Sequence, residues 1–151
     1  MRSFLQKSVS IRRENAIFIY YGIYLSELGS AEVNLAQPRQ ALHHFKEGLQ
    51  ISTVSYDIVA SLIGIVRVAL QTDQFWIAAQ LLGVCQRYMQ MQEVYREIGR
   101  VGQKEYERGW AETKAQLGEP AFEQALSEGQ AMTLDEAVKY ALSLSLADPG
   151  G

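Results

Sequence analysis

Residues 37–48 read QPRQALHHFKEG, and residues 74–85 read QFWIAAQLLGVC. Each stretch follows an apolar segment, LSELG at 25–29 and LIGIV at 62–66. The two blocks superimpose at a constant offset of 37 residues without a gap, Ala41 falling on Ala78 and Phe45 on Leu82. Within each block, small and large residues recur at spacings of three and four, which places them on one face of a helix. The small set (Gly29, Ala41, Gly48; Ala78, Cys85) lets two helices approach closely. The large set (Leu25, Leu28, Phe45; Leu62, Ile65, Leu82) fills the space between helix pairs. The pattern predicts two consecutive helical hairpins over about residues 16–90.

Moving outward, Leu25, Leu28, Glu32 and Leu35 continue the helical spacing of the first segment. Pro38 sits where a first helical turn accepts proline. Ala41, Leu42, Phe45, Leu49 and Ile51 form the next apolar face. A third helix is expected over about 56–71, with Leu62, Ile65, Val66 and Ala69 on one side. A fourth is expected over about 75–89, with Asp73 as its cap. Past Met91 the glycines Gly99 and Gly102 predict a break. A charged helix is then expected over about 103–117, ended by Gly118 as a left-handed cap. A short helix from Glu119-Pro120 to about Glu128, stopped at Gly129, follows. Thr133 and Glu136 have the spacing of a capping box, which opens the last helix with Leu134, Val138, Ala141 and Leu142 on its apolar face. The whole reads as a single all-α domain, 1–151, of about seven helices. Residues 103–146 form its C-terminal cap, and the end at Ala147–Gly151 is expected to fray.

A repeat of this kind resembles the tetratricopeptide hairpin, whose period is about 34 residues. The departures are Val66 in place of a small residue, and Glu32 and Ala69 where that family carries a tyrosine. The C-terminal half adds further segments in order: AAQLLG at 78–83, EYER at 105–108, LGEPAF at 117–122, EGQAMTLDEAV at 128–138 and YAL at 140–142. This succession over residues 20–146 resembles the C-terminal region of bacterial tetratricopeptide regulators. Those are STAND-type signalling ATPases, some of them with LuxR-type DNA-binding domains. The resemblance implies an α-α superhelix and a helical-repeat regulatory segment of signal transduction or transcription. The nucleotide site and the DNA-binding helix of such regulators lie in other domains, and this sequence has no Gly-x-x-x-x-Gly-Lys-Ser/Thr loop. Both a short homologue and a segment of a longer regulator fit it.

Composition narrows the function classes. The 151 residues carry 14 Lys and Arg against 17 Asp and Glu, a net charge of −3, and 48% are apolar. Such a chain buries roughly 68–70% of its unfolded surface. It is too apolar and too evenly charged for a disordered segment. One cysteine cannot make an internal disulfide. An acidic balance argues against a dedicated nucleic-acid binder. Arg2, Lys7, Arg12 and Arg13 before the apolar run 16–25 have the outline of a secretory signal, but Glu14, Asn15 and three tyrosines disagree with one. The run 58–70 is far short of the ~20 residues that span a bilayer. The expectation is a soluble cytoplasmic protein with no membrane partner.

Little chemistry is on offer. His43 and His44 with Glu47 make the only metal-like cluster, and adjacent histidines diverge by about 100° on a helix. Cys85 occupies a packed position. No Ser/His/Asp set exists, and Glu105 with Glu107 reads as solvated helix charge. The expectation is a non-enzyme without metal or cofactor that offers a groove to a protein or peptide. Tyr21, Tyr24, Asn34 and Arg67, on the first helices of the hairpins, are the groove candidates. Phe18, Tyr20, Tyr21 and Tyr24 crowd the first helix with aromatics. That face is expected to contact a partner, a second copy included. The alternative is a nucleic-acid-binding module. Arg96, Arg100, Lys104 and Arg108 fall four apart, with Tyr95, Tyr106 and Trp110 nearby. Interleaved acids (Glu93, Glu97, Glu105, Glu107, Glu112) oppose it. The basic first 13 residues and the acidic stretch 119–148 form a charge asymmetry that could align neighbouring subunits.

Overall fold

The computed structural model describes residues 4–146, with side chains from Ile17 onward except Phe18 and Ile19. Arg2, the side chains of Lys7, Arg12, Arg13 and Phe18, and the end Ala147–Gly151 lie outside that description. The described residues are all-helical, in the order α1 (Phe4–Asn34), α2 (Pro38–Ile51), α3 (Ser55–Gln71), α4 (Phe75–Met89), α5 (Gln92–Glu97), α6 (Gly99–Leu117), α7 (Glu119–Gln130) and α8 (Leu134–Ser143). Eight helices replace the expected seven because the segment after Met91 forms a short helix of its own. The first helix begins well upstream of the expected start.

The 37-residue register survives at the level of single hydrogen bonds. After α1, Gln37 N–H donates to the Glu32 carbonyl (2.8 Å) and Ala36 N–H to Val33 (3.0 Å). After α3, Gln74 N–H donates to Ala69 (2.8 Å) and Asp73 N–H to Leu70 (3.4 Å). Both turns have the Schellman pattern, with the pivotal residue left-handed: Ala36 at φ 57° and Asp73 at φ 59°. Asp73 therefore closes α3. It does not cap α4, whose cap position is Gln74 without a side-chain bond. Leu35 lies just past the end of α1 and is 68% exposed, so it leaves the expected apolar face.

Phe45 of α2 is fully buried and wedges between α1 and α3. A Cβ on Gly29 would stand 2.7 Å from its ring, and one on Gly64 would also collide with it. The sequence pattern identified Gly29 and overlooked Gly64. His44 Nδ1 and Glu32 Oε1, 2.5 Å apart, add a polar tie between α2 and α1. The core continues through Leu62, Ile65, Val66, Leu81 and Leu82. Where Val66 replaces a small residue, α6 supplies Gly109, whose added Cβ would sit 3.2 Å from Val66 Cγ1.

The second half is built differently. α6 lies on α3 and α4 as the first helix of a third hairpin would. α7, however, packs chiefly across α4 and only lightly on α6. The crossing is close because Gly83 faces the Leu126 carbonyl and Gly129 faces the Gln80 carbonyl. Gly129 is thus inside α7 and not its stop. Gly99, at φ 73°, makes the break between α5 and α6, whereas Gly102 is helical. Gly118 has φ 81° with extended ψ (157°), so it leads straight into α7 and is not a left-handed cap. The capping box at Thr133 and Glu136 is present as expected. α8 then folds back against α2, α3 and α4. Leu134 N–H donates to the Tyr88 hydroxyl (2.9 Å), and Lys46 Nζ donates to the Leu144 carbonyl.

Candidate functional site: a cleft across three first helices

α1, α3 and α6 lie side by side and form one face of the stack. Arg67 of α3 ties all three together. Its Nη1 donates to Glu105 Oε1 of α6 at 3.1 Å, and its Nη2 donates to Asn34 Oδ1 of α1 at 2.6 Å. Gln71, one turn on, donates to the Val33 carbonyl at 2.7 Å. The Arg67 and Glu105 side chains are only 19% and 24% exposed, so the pair is partly desolvated and less screened than a surface bridge. Beside this ladder opens a cleft of about 250 Å³, lined by Val33, Leu70, Gln71, Arg108 and Glu112 in addition to Arg67. Its lining sets the apolar Val33 and Leu70 beside the polar Arg67, Gln71 and Glu105, which are already hydrogen-bonded. Its rim offers one guanidinium and one carboxylate, Arg108 and Glu112, both exposed. Such a surface can hold a peptide backbone or a helix face by shape with a charged contact at either edge.

The groove candidates divide. Asn34 and Arg67 bond to each other in the cleft. Tyr21 and Tyr24 stack on one another elsewhere on α1, centroids 6.3 Å apart, and Tyr20 is exposed beside them. The Tyr21 hydroxyl donates to Glu47 Oε1 at 2.8 Å. That bond to a carboxylate, more than any burial, raises the Tyr21 phenol above its ordinary range. Sequence reasoning misses Leu70 and Gln71; it places Arg108 in the alternative basic stripe and Glu105 and Glu112 among the acids that oppose that stripe. Glu105 stands about one repeat after Arg67, which is the signal that could have joined them.

The basic stripe is divided as well. Arg96 belongs to α5, and the Gly99 break separates it from Arg100, Lys104 and Arg108, which are exposed on α6. Of the nearby aromatics, Trp110 turns inward against Phe122 (centroids 5.0 Å) and Tyr106 packs on Trp110 (6.0 Å). Tyr95 remains exposed. Burial raises the Tyr106 phenol above its ordinary range.

The remaining clusters resolve into packing. His44 bonds to Glu32 while Glu47 bonds to Tyr21, so the histidine pair and Glu47 do not converge. Among the described residues, no group of three or more His, Cys, Asp or Glu is placed to hold a metal. Cys85 is buried, and desolvation pushes its thiol up to about 12, far from a reactive thiolate. Among the described residues, no helix is long and apolar enough to cross a membrane. No family model matches the chain, and neither the curated proteins nor the solved structures give a match.

Proposed function

We propose that this chain is a non-catalytic protein-interaction module of bacterial signalling or transcriptional regulation. It acts in the cytoplasm and presents a helical-repeat groove to a protein or peptide. The observation that carries the reading is the cleft across α1, α3 and α6, held open by the Asn34–Arg67–Glu105 ladder. Helices tied in this way form a preorganised surface, so a partner docks without first ordering the receptor. The tetratricopeptide resemblance and the bond-for-bond repeat of the two Schellman turns support the same reading. The test is a lysate pull-down with the wild-type chain and a rim variant, Arg108→Glu with Glu112→Lys. Both residues are exposed, so the variant keeps its fold. A partner retained by the wild type and lost by the variant supports the cleft, and one held equally by both places binding elsewhere.

A second reading is favoured by one observation. Glu105 is turned to Arg67, so Glu107 is the one exposed acid left among Arg100, Lys104 and Arg108, the last of which borders the cleft. A nucleic-acid backbone could use those three cations. Binding would then weaken steeply with salt and fall on charge reversal at Arg100 and Arg108.

A further inference from the structure

The exposed large apolar residues are concentrated on one helix. Ile17, Tyr20 and Tyr24 of α1 are 65%, 72% and 56% exposed, and they recur at the spacing of a single helical face. The opposite face carries Leu25, Gly29 and Val33 into the core. Gly22 stands beside Ser52, where α2 has already ended. Upstream of it, α1 continues for about 18 residues, or ~27 Å at ~1.5 Å per residue. A helix of that length standing past its hairpin partner is marginal in water and gains from lateral packing.

We propose that this face binds a second copy of the chain, with the two α1 helices antiparallel about a two-fold axis near Tyr20. Two properties of the helix select that occupant. The first is charge order. Arg13 precedes Tyr20 by as many residues as Glu27 follows it, with Glu14 next to Arg13. Antiparallel pairing about Tyr20 brings position 13 of each helix alongside the exposed Glu27 of the other, whereas Glu32 is buried against His44 and takes no part. Parallel pairing superimposes like charges. The second is area. α1 spans 31 residues. An overlap centred on Tyr20 is roughly 45 Å long and, at a helix diameter of about 10 Å, covers on the order of 1,000 Å² in total, the lower bound for a specific interface. An isologous contact of this kind closes at two subunits and leaves no open end to polymerise. The overlap ends beside Asn34 of the α1–α3–α6 cleft, and the Arg108→Glu, Glu112→Lys rim variant leaves the α1 face unchanged, so the dimer and the groove are tested apart.

The experiment combines light scattering with self-cross-linking of the whole chain. The wild type is expected to show a concentration-dependent dimer mass between about 1 and 100 μM. Tyr20→Glu with Tyr24→Glu should raise the dissociation constant by at least about tenfold, which corresponds to a ~1.4 kcal/mol loss. Tyr95→Glu, also at an exposed tyrosine but on α5, should leave the mass unchanged. Under oxidation Tyr20→Cys should form a disulfide dimer, because residues at the axis approach their own copies. Leu35→Cys should not, because its two copies lie ~45 Å apart in this register. Cys85 is buried and does not compete. A monomeric mass at 100 μM overturns the proposal, as does a dimer in which Leu35→Cys cross-links as readily as Tyr20→Cys. A dimer indifferent to both tyrosine substitutions places the contact elsewhere and overturns it too.

Discussion

The first and the last helix are finished differently. α1 turns Leu25, Gly29 and Val33 inward and leaves Ile17, Tyr20 and Tyr24 in solvent. α8 turns Ala137 and Ala141 inward and presents Asp135, Glu136 and Lys139 outward. A stack of hairpins must be closed by a polar outer face, because every inner helix is apolar on two sides. α8, which folds back on α2, α3 and α4, presents such a polar face, and α1 does not. The construction differs as well. The first half holds its helices apart with a phenylalanine wedge and repeats one turn twice. The second half draws its helices together on glycines and repeats nothing. Regular spacing marks the first half, and a close glycine crossing of α4 by α7 marks the second.

The comparison is sharpened first at the wedge. Phe45→Ala empties the space shared by Gly29 and Gly64, and should cost about 3–5 kcal/mol in a urea titration. A loss under 1 kcal/mol would mean that α1 and α3 do not depend on it. Gly129→Ala tests the other construction. Its Cβ meets the backbone carbonyl of Gln80, which cannot rotate away as a side chain could, so about 2–3 kcal/mol of stability should be lost. If the variant is as stable as the parent, α7 does not cross α4 this closely. Thr133→Ala removes the capping box of α8 and should cost about 1 kcal/mol, read by the same titration. The smallest effect runs the other way. Ala36→Gly relieves a left-handed alanine and should gain about 0.5–1 kcal/mol, whereas Asp73→Gly should gain only a few tenths, because aspartate tolerates that conformation. A loss of stability at either site would contradict the left-handed conformation assigned to that turn.

This contrast also accounts for what the sequence made legible. The wedge and its hairpins follow from periodic small and large residues, and the α4 boundaries come out as expected. The capping box is local chemistry and reads directly from Thr133 and Glu136. The turn after α3 was misread because Asp73 suits a helix cap and a left-handed turn equally, and only its hydrogen bonds decide. Gly129 looked like a terminator for the same reason. Its role comes from a partner helix some 45 residues earlier, at Gln80 and Gly83, which no local pattern shows. The cleft was half legible. Asn34 and Arg67 were named for their places on the hairpins, but Glu105, Arg108 and Glu112 became neighbours only once α6 lay beside α3. The tyrosines of α1 share a helix with Asn34, but Tyr20, Tyr21 and Tyr24 stand about three to four turns before it, so they do not meet Arg67.

The most direct test of the functional reading is a pull-down from lysate of the source organism, run with and without nuclease and read by mass spectrometry. The account predicts a discrete protein partner that is retained after nuclease treatment. Recovery that disappears with nuclease would contradict it and transfer the function to the cations of α6.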